Sequence, residues 1–427
     1  NLAESLQRIT GVSINRVNGE GSEVTVRGFG GNFNLITLNG RQMPAANVST
    51  ITGNPQDKGS TGSSRSFDFS NIASEGVSGI EVYKTGQAAI PSGGIGATVN
   101  INTLKPLAAG KNRASVGVKA VKDESGDGVT PEISGLTNWV NDDGNFGISL
   151  FGSYQERDSG SRHASVEQFQ LREWAESDID TFTAPGVQVV NTPNVGQIVA
   201  IPSNIGLGVN EDNRERTNAM LTVQFEPMDN LTLTADVTYA KNEQDSRSLI
   251  DGIWFSQQFN SVEFDGNAVV STPVKFSEDI DGGKDFFFQN LALATKDELK
   301  SFGFNADFWV NDSLNLSFDV ATSQAKSGGN GPMGQNSIRF NMAGSNAGWQ
   351  AADFTGSIPQ ASIVVDDLVK GNNNGIFDKP DVGSQVVQTD KSNQVTDVDQ
   401  IRFDGEWVKD EYKVDFGVGY LTTEMRQ

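Results

Sequence analysis

The common nucleophile–base dyads need a thiol or hydroxyl beside an imidazole. This chain has no cysteine and one histidine, His163, set in a polar stretch. A Cys–His dyad is therefore excluded, a Ser–His or Thr–His dyad would rest on that one imidazole, and His163 reads as a surface residue. A disulfide framework and a thiolate metal site are also excluded. Carboxylates are abundant, with 54 Asp and Glu. A glycosidase-like pair is thus possible by number, but nothing in the sequence places two acids in one cleft. Gly93, Gly94 and Gly96 hint at a phosphate-cradling loop, which would follow a strand and open a helix. Here Thr98 to Ile101 alternates as a strand, so the glycines read as allowing tight turns and close backbone contacts. Asp366 to Asp378 (DDLVKGNNNGIFD) gathers oxygen donors around Gly371 and Gly375. Asp366 and Asp378 are its weak Ca²⁺ candidates; the EF-hand register is not met, which favours a polar Asn/Gly turn. No cofactor is expected. Trp174, Trp254, Phe255 and Trp349 lie in long polar segments, where rings either stack on a ligand such as a sugar or pack the segments together.

These residues sit in a chain of 427 residues with a net charge of −22. No basic face is visible, so a nucleic-acid partner is not expected. No run of about 18 apolar residues occurs, so no transmembrane helix is expected. Strands of a membrane barrel remain open, because they alternate apolar and polar residues and keep average hydropathy low. The chain begins at Asn1 with neither Met nor a signal peptide, which reads as a start inside a longer protein.

Two sequence grammars position the candidate residues. Residues 1–106 read as a small α+β domain. A short helix carries Leu2, Leu6 and Ile9 on one face and stops near Gly11. Strands follow around Val12–Ile14, Glu23–Arg27 and Leu35–Leu38, the last closed by Asn39-Gly40, a strong hairpin signal. Pro44 to Ser66 reads as a mobile loop rich in Gly, Ser, Thr and Asn. Ile80–Val82 and Val99–Ile101 are further strands. From Arg113 the pattern has period two. Nine candidate strands follow, many near the roughly 9–11 residues that a tilted strand needs to cross a bilayer. Short turns at Asn141–Gly144, Pro227–Asn230, Asn311-Asp312 and Lys409–Glu411 alternate with long polar segments at about 157–213, 244–297 and 326–397. That alternation of short turns and long loops belongs to outer-membrane barrels. Trp139, Trp309 and Trp407 recur at three of the turns and are expected to form part of an aromatic girdle. Trp309 is out of phase with Phe302, Phe304 and Phe308, which a bulge near the turn would reconcile.

The ordered motifs Leu2-Ala3-Glu4-Ser5-Leu6-Gln7-Arg8-Ile9-Thr10-Gly11-Val12, Val24-Thr25-Val26-Arg27-Gly28-Phe29, Ile36-Thr37-Leu38-Asn39-Gly40-Arg41 and Ile80-Glu81-Val82-Tyr83-Lys84 resemble the plug domain of TonB-dependent outer-membrane receptors. The run Gly93-Gly94-Ile95-Gly96-Ala97-Thr98-Val99-Asn100-Ile101 extends the resemblance. It implies an α+β plug domain followed by a partial antiparallel transmembrane β-barrel, with nine of an expected 22 or so strands. Nine strands leave open edges that lipid does not tolerate, and the chain lacks a terminal aromatic residue. It therefore reads as a fragment cut at both ends, with the TonB-contacting segment ahead of Asn1. The resemblance also implies that Arg27, Arg41 and Glu81 help seat the plug, with Asp236, Asp307, Asp319 and Asp404 as wall-side partners. Gly93, Gly94 and Gly96 would let the backbone lie close to the barrel wall. The expected location is the outer membrane of a Gram-negative bacterium, and the expected partners are TonB, the inner-membrane energising complex, outer-membrane lipid and a solute. An oligosaccharide leads as solute, with a ferric siderophore or cobalamin-type ligand second. From a different class, a soluble secreted all-β polysaccharide-binding protein or glycosidase competes, and the apolar stripes on the strands count against it.

Overall fold

The computed structural model describes the chain apart from residues 1, 18–19, 47–65, 88–89, 111, 167, 179–185, 188, 256–257 and 368–371. Most of the loop read over 44–66, and Gly371, therefore lie outside the described residues. Helix α1 (Leu2–Leu6) buries Leu2, Ala3 and Leu6. Strands β1 (Val12–Val17) and β2 (Glu20–Val26) form an antiparallel hairpin beside it. Strand β3 (Asn34–Leu38) turns at Asn39 (φ 53°) and Gly40 (φ 82°) into β4 (Arg41–Gln42). Two consecutive left-handed residues make the tight hairpin that Asn-Gly favours. Strands β5 (Val77–Tyr83) and β6 (Ala97–Thr103) complete a second sheet in the order β4-β3-β6-β5, with β3 and β6 parallel. A short helix α2 (Pro106–Ala109) then leads to the wall, stopped by Gly110 at φ 60°.

The wall opens with β7 (Arg113–Val121), β8 (Thr130–Val140) and β9 (Phe146–Ser165). Short strands follow: β10 (Phe169–Glu173), β11 (Val189–Val190) and β12 (Ile198–Pro202). Next come β13 (Asn204–Met228), β14 (Leu231–Trp254), β15 (Ser261–Phe264), β16 (Val270–Ser271) and β17 (Pro273–Asn311). The chain continues through β18 (Leu314–Gly329), β19 (Ser337–Asp353), β20 (Gln360–Val365), β21 (Val382–Asp390), β22 (Asn393–Lys409) and β23 (Tyr412–Arg426). Among the described residues, one path of antiparallel neighbours runs β7-β8-β9-β13-β14-β17-β18-β22-β23. The architecture is a plug domain with part of a β-barrel, and that path carries the nine expected strands.

The strands are far longer than a bilayer requires. β13 has 25 residues, β14 has 24 and β17 has 39. The segments 157–213, 244–297 and 326–397, expected as loops, are therefore in large part strand. Past the apolar belt both faces of these strands are polar, as in Lys241-Asn242-Glu243-Gln244-Asp245-Ser246, so the period-two signal vanishes while the ladder continues. Beyond the ends of β9 and β13, the sheet β10-β12-β16 and the strands β11 and β15 build a cap. Its core contains Trp174, Val199, Ile201, Phe255, Phe259, Phe264 and Phe276.

One face of the wall points outward and the other packs on the plug. Leu221, Val237, Phe302, Phe318 and Ile401 are exposed on the outward face. Met220, Thr222, Asp236, Thr238, Ala240, Ala321 and Val398 are buried on the inner face. The plug core of Leu2, Leu6, Val24, Val26, Leu38, Phe69, Ile72, Val99 and Ile101 continues without a break into Phe151, Met220, Ala240, Leu299 and Ala325 of the wall. Trp139 and Trp407 share the outward face, paired with Ile148 and Leu314. Trp309 pairs with Asn315 on the inner face. The expected bulge is present, but between Trp309 and Asn311, on the turn side, where it leaves the phase of Trp309 unchanged.

Candidate functional site

The seam between plug and wall concentrates the buried charge. Arg41 follows the Asn39-Gly40 turn, which projects it from the end of the four-stranded sheet into the wall. Its Nη1 donates to Asp236 Oδ2 at 2.5 Å. Its Nε donates to Asp319 Oδ1 and Oδ2 at 2.9 and 3.0 Å, and Nη2 donates to Asp319 Oδ2 at 2.9 Å. The guanidinium is 5% exposed and the Asp236 carboxylate 4%, so the charges are compensated by each other and not by water. A planar fork against two carboxylates is the geometry in which arginine outperforms lysine. The turn itself is held: Asn39 Oδ1 accepts from Thr103 N at 3.0 Å, and Gly40 N donates to Asn100 Oδ1 at 2.8 Å. Gly303, opposite Asp236 on β17, makes the cradle. A Cβ there would lie 1.7 Å from Arg41 Nη1 and 2.2 Å from its Cζ.

Of the four wall acids considered as partners, Asp236 and Asp319 meet Arg41. Asp307 accepts from Asn315 Nδ2 at 2.8 Å, and Asp404 pairs with Arg402, both within the wall. Arg27 and Glu81 do not reach the wall. Arg27 Nη2 donates to Gly96 O at 2.8 Å. Glu81 accepts from Tyr83 Oη at 2.8 Å and Asn100 Nδ2 at 3.1 Å, which hold its carboxyl below the usual range. The glycines also serve the plug and not its contact with the wall. Gly93 has φ 131°. A Cβ on Gly94 would lie 2.3 Å from Ala97 O, and one on Gly96 would lie 2.4 Å from Asn34 Oδ1. Their close approaches are to plug residues, because β3 and β6 run side by side there.

A second charge cluster of opposite polarity ties the other plug sheet to the wall. Glu20, at the tip of the β1–β2 hairpin, accepts from Arg157 Nη1 through Oε1 and from Arg214 Nη1 through Oε2, the latter at 2.5 Å. Burial alone would raise its carboxyl pKa. The hydrogen bond and charge of Arg214, with the charges of Arg216 and Arg157, outweigh burial and lower it to about 2. Arg216 reaches the plug directly, with Nη1 donating to Ser70 O at 2.5 Å. In the sequence Arg157 falls in a long polar segment, and no local signal sets Glu20 beside the wall. One signal was available: Arg214 and Arg216 keep the phase of Met220, Thr222 and Gln224, so extending that strand upward sets them on the inner face.

The other candidates disperse. Trp174 is 2% exposed and Phe255 8%, both in the cap core. Trp174 lies edge-on to Phe264 at 5.4 Å and Phe255 edge-on to Phe276 at 4.6 Å. These two rings pack the cap and are closed to a ligand face. Trp254 is partly exposed, tilted on Phe287 at 5.4 Å, and Trp349 is half-buried on β19. In the acidic turn Asp367 anchors the backbone, accepting from Asn373 N at 3.1 Å and Gly375 N at 2.7 Å. Asp378 accepts from the side-chain amides of Asn372 and Asn374 at 2.7 and 2.9 Å. The carboxylates are thus occupied by the loop's own donors. Among the described residues no group of three or more acids, histidines or cysteines could hold a metal ion. His163 stands on β9, with its ring against Gly208.

A small mixed domain seated by buried ion pairs against the inner face of a membrane-type strand wall defines a plugged outer-membrane barrel. Residues 1–98 match the family model described as TonB-dependent Receptor Plug Domain. No curated protein matches the chain in sequence. Among solved structures it is similar to the siderophore receptor PiuA from Acinetobacter baumannii, at 11% identity and TM-score 0.34, covering 99% of this chain and 58% of that one. It is also similar to BauA, the ferric preacinetobactin receptor from Acinetobacter baumannii, at 11% identity and TM-score 0.35, covering 97% and 54%. A third is the ferric enterobactin receptor PfeA from Pseudomonas aeruginosa in complex with enterobactin, at 10% identity and TM-score 0.36, covering 95% and 60%. The chain spans a little over half the length of these proteins.

Proposed function

We propose that this chain is the plug-bearing part of a receptor that imports a scarce or bulky solute across the outer membrane, driven by TonB and the inner-membrane energising complex. The observation that carries the reading is the seated plug, with Arg41 forked onto Asp236 and Asp319 inside the wall. A passive pore has no use for a domain held by buried charge, because such pairs cost desolvation and are suited to fixing position. A soluble secreted protein would not carry outward stripes such as Phe302, Phe304 and Val237 next to the aromatic residues at the turns.

For the solute, a ferric chelate or cobalamin-type ligand moves ahead of an oligosaccharide. The sugar reading rested on loop aromatics, and two of the four, Trp174 and Phe255, are packed into the cap core. Uptake by cells carrying the full-length receptor, with and without TonB, tests the proposal on a panel of radiolabelled iron chelates, cobalamin and oligosaccharides. TonB-dependent accumulation of one solute class is the expected result. Equal accumulation of small solutes without TonB, with the plug intact, would identify a passive pore instead.

A further inference from the structure

Three arginines gather on the inner face of the wall where the β1–β2 hairpin meets it. Arg157 on β9 lies directly opposite Arg214 on β13, and Arg216 stands one step lower, opposite Gln155. Two of them hold one carboxylate between them: Arg157 Nη1 donates to Glu20 Oε1 and Arg214 Nη1 to Glu20 Oε2. The third, Arg216, is 7% exposed and meets neutral acceptors, Ser70 O through Nη1 and Gln155 Oε1 through Nη2. Arg157 Nε, Arg214 Nη2 and Arg216 Nε are buried and have no hydrogen-bond partner among the described residues. A cavity of about 70 Å³ lies against the cluster, lined by Ser22 and Asp68 of the plug and by Asp212, Asn242 and Gln244 of the wall.

Seating the plug does not call for so many cations. At the lower tie one arginine sits on two acids. Here three arginines surround one hydrogen-bonded acid, and burying a guanidinium costs several kcal/mol unless charge compensates it. Much of the compensating charge comes from the plug. Glu20 supplies it directly, Asp68 lies across the cavity with its Oδ1 accepting from Ser70 N at 2.8 Å, and the charge of Glu75 also acts on Arg216. The acids on the wall have other partners or stand off: Asp212 accepts from Ser246 Oγ, Glu132 pairs with Lys119, and Asp297, opposite Asn242, is two strands from Arg216. When the hairpin lifts, the wall keeps all three arginines and loses Glu20. The donors left over are guanidinium N–H groups, whose planar fork matches the two oxygens of a carboxylate.

We propose that Arg157, Arg214 and Arg216 form a carboxylate-binding site on the wall, which the plug's own Glu20 fills while the plug is seated and a carboxylate-bearing solute fills when the hairpin withdraws. The solute half rests on the import reading and names the solute's class; the site itself stands on the arginine geometry. Glu20 is then a built-in competitor, and removing its side chain opens the site without moving the plug.

The test uses the full-length receptor in mild detergent at neutral pH, with acetate as the probe carboxylate and acetamide as its uncharged counterpart, at matched ionic strength. Glu20→Ala is expected to speed hydrogen exchange across β1 and β2 by roughly tenfold or more, as loss of hydrogen bonds to a charged group would. Acetate is expected to restore most of the protection and acetamide none. Wild type and Glu20→Gln, whose side chains still fill the site, should not respond to acetate. If Glu20→Ala is recovered unfolded, refolding yield in acetate against acetamide gives the same reading. The inference is overturned if the two probes act alike, or if the acetate effect survives when Arg214→Gln and Arg216→Gln are added to Glu20→Ala. In the uptake panel, the accumulated solute is expected to carry a free carboxylate; TonB-dependent uptake of cobalamin or a neutral oligosaccharide alone would overturn the class. The two readings fail separately. A receptor that accumulates a solute with TonB but shows no acetate rescue loses this inference alone, whereas acetate rescue without TonB-dependent uptake of any solute keeps the site and removes the import reading.

Discussion

Arg41 is the residue on which the seam turns. Removing Asp319 leaves Arg41 paired with Asp236 but takes the acceptor from its buried Nε and Nη2, at a cost of about 1–3 kcal/mol for an unsatisfied buried donor. Asp319→Ala is therefore expected to loosen the plug, seen as faster hydrogen exchange across β3 and β4 in the folded receptor. Asp307→Ala, whose partner lies within the wall, should leave that exchange unchanged. Gly303→Ala makes a sharper prediction, because it alters no charge. Its methyl group would occupy the space of the guanidinium, so plug exchange should rise nearly as much as in Asp319→Ala. An unchanged exchange rate in Gly303→Ala would show that the cradle is not needed. Glu20 gives a pH prediction. Its folded pKa of about 2 lies below the ordinary 4.5, so its contribution is fully present above about pH 4.5 and is lost as pH falls toward 2. The shift corresponds to roughly 3 kcal/mol. Glu20→Gln should flatten that part of the acid-unfolding curve; an acid limb identical to wild type would remove Glu20 from the account.

At the scale of elements, the plug is two sheets and each has its own tie. The four-stranded sheet holds on through Arg41 to β14 and β18, five residues from their Leu231 and Leu314 ends. The β1–β2 hairpin holds on through Glu20 to β9 and β13, much farther from the short turns. The polarity is reversed between the two, with a plug cation below and a plug anion above. The cap is a separate packing unit. Trp174→Ala, which empties a large buried site, is expected to cost about 3–5 kcal/mol and to raise protease sensitivity between β9 and β13. Trp349→Ala, on a half-buried ring, should cost clearly less. Equal effects would mean that the cap core does not depend on Trp174.

At the scale of the molecule, outward apolar stripes and a buried, charged inner face are what a plugged membrane wall requires. The full-length protein should be monodisperse only in detergent or lipid. Size-exclusion chromatography after detergent removal checks this, and a stable monomer in plain buffer would contradict the membrane reading.

Much of this was legible in the residues themselves. Period two and a turn such as Asn39-Gly40 are local signals, so the plug strands, the nine wall strands and their short turns could be read directly. Arg41 was named through the family resemblance, and Asp236 and Asp319 stood out as wall-side partners because they lie on the polar faces of their strands. Local signals stop where both faces of a strand are polar. The upper halves of β13, β14 and β17 therefore read as loops, and so does the segment that carries Arg157. Which acid meets which base, why Gly303 must be small, and whether Trp174 faces solvent or a core are settled by groups that lie far apart along the chain. Arg41 and Asp319 are separated by 278 positions, and only the folded wall brings them within hydrogen-bonding distance.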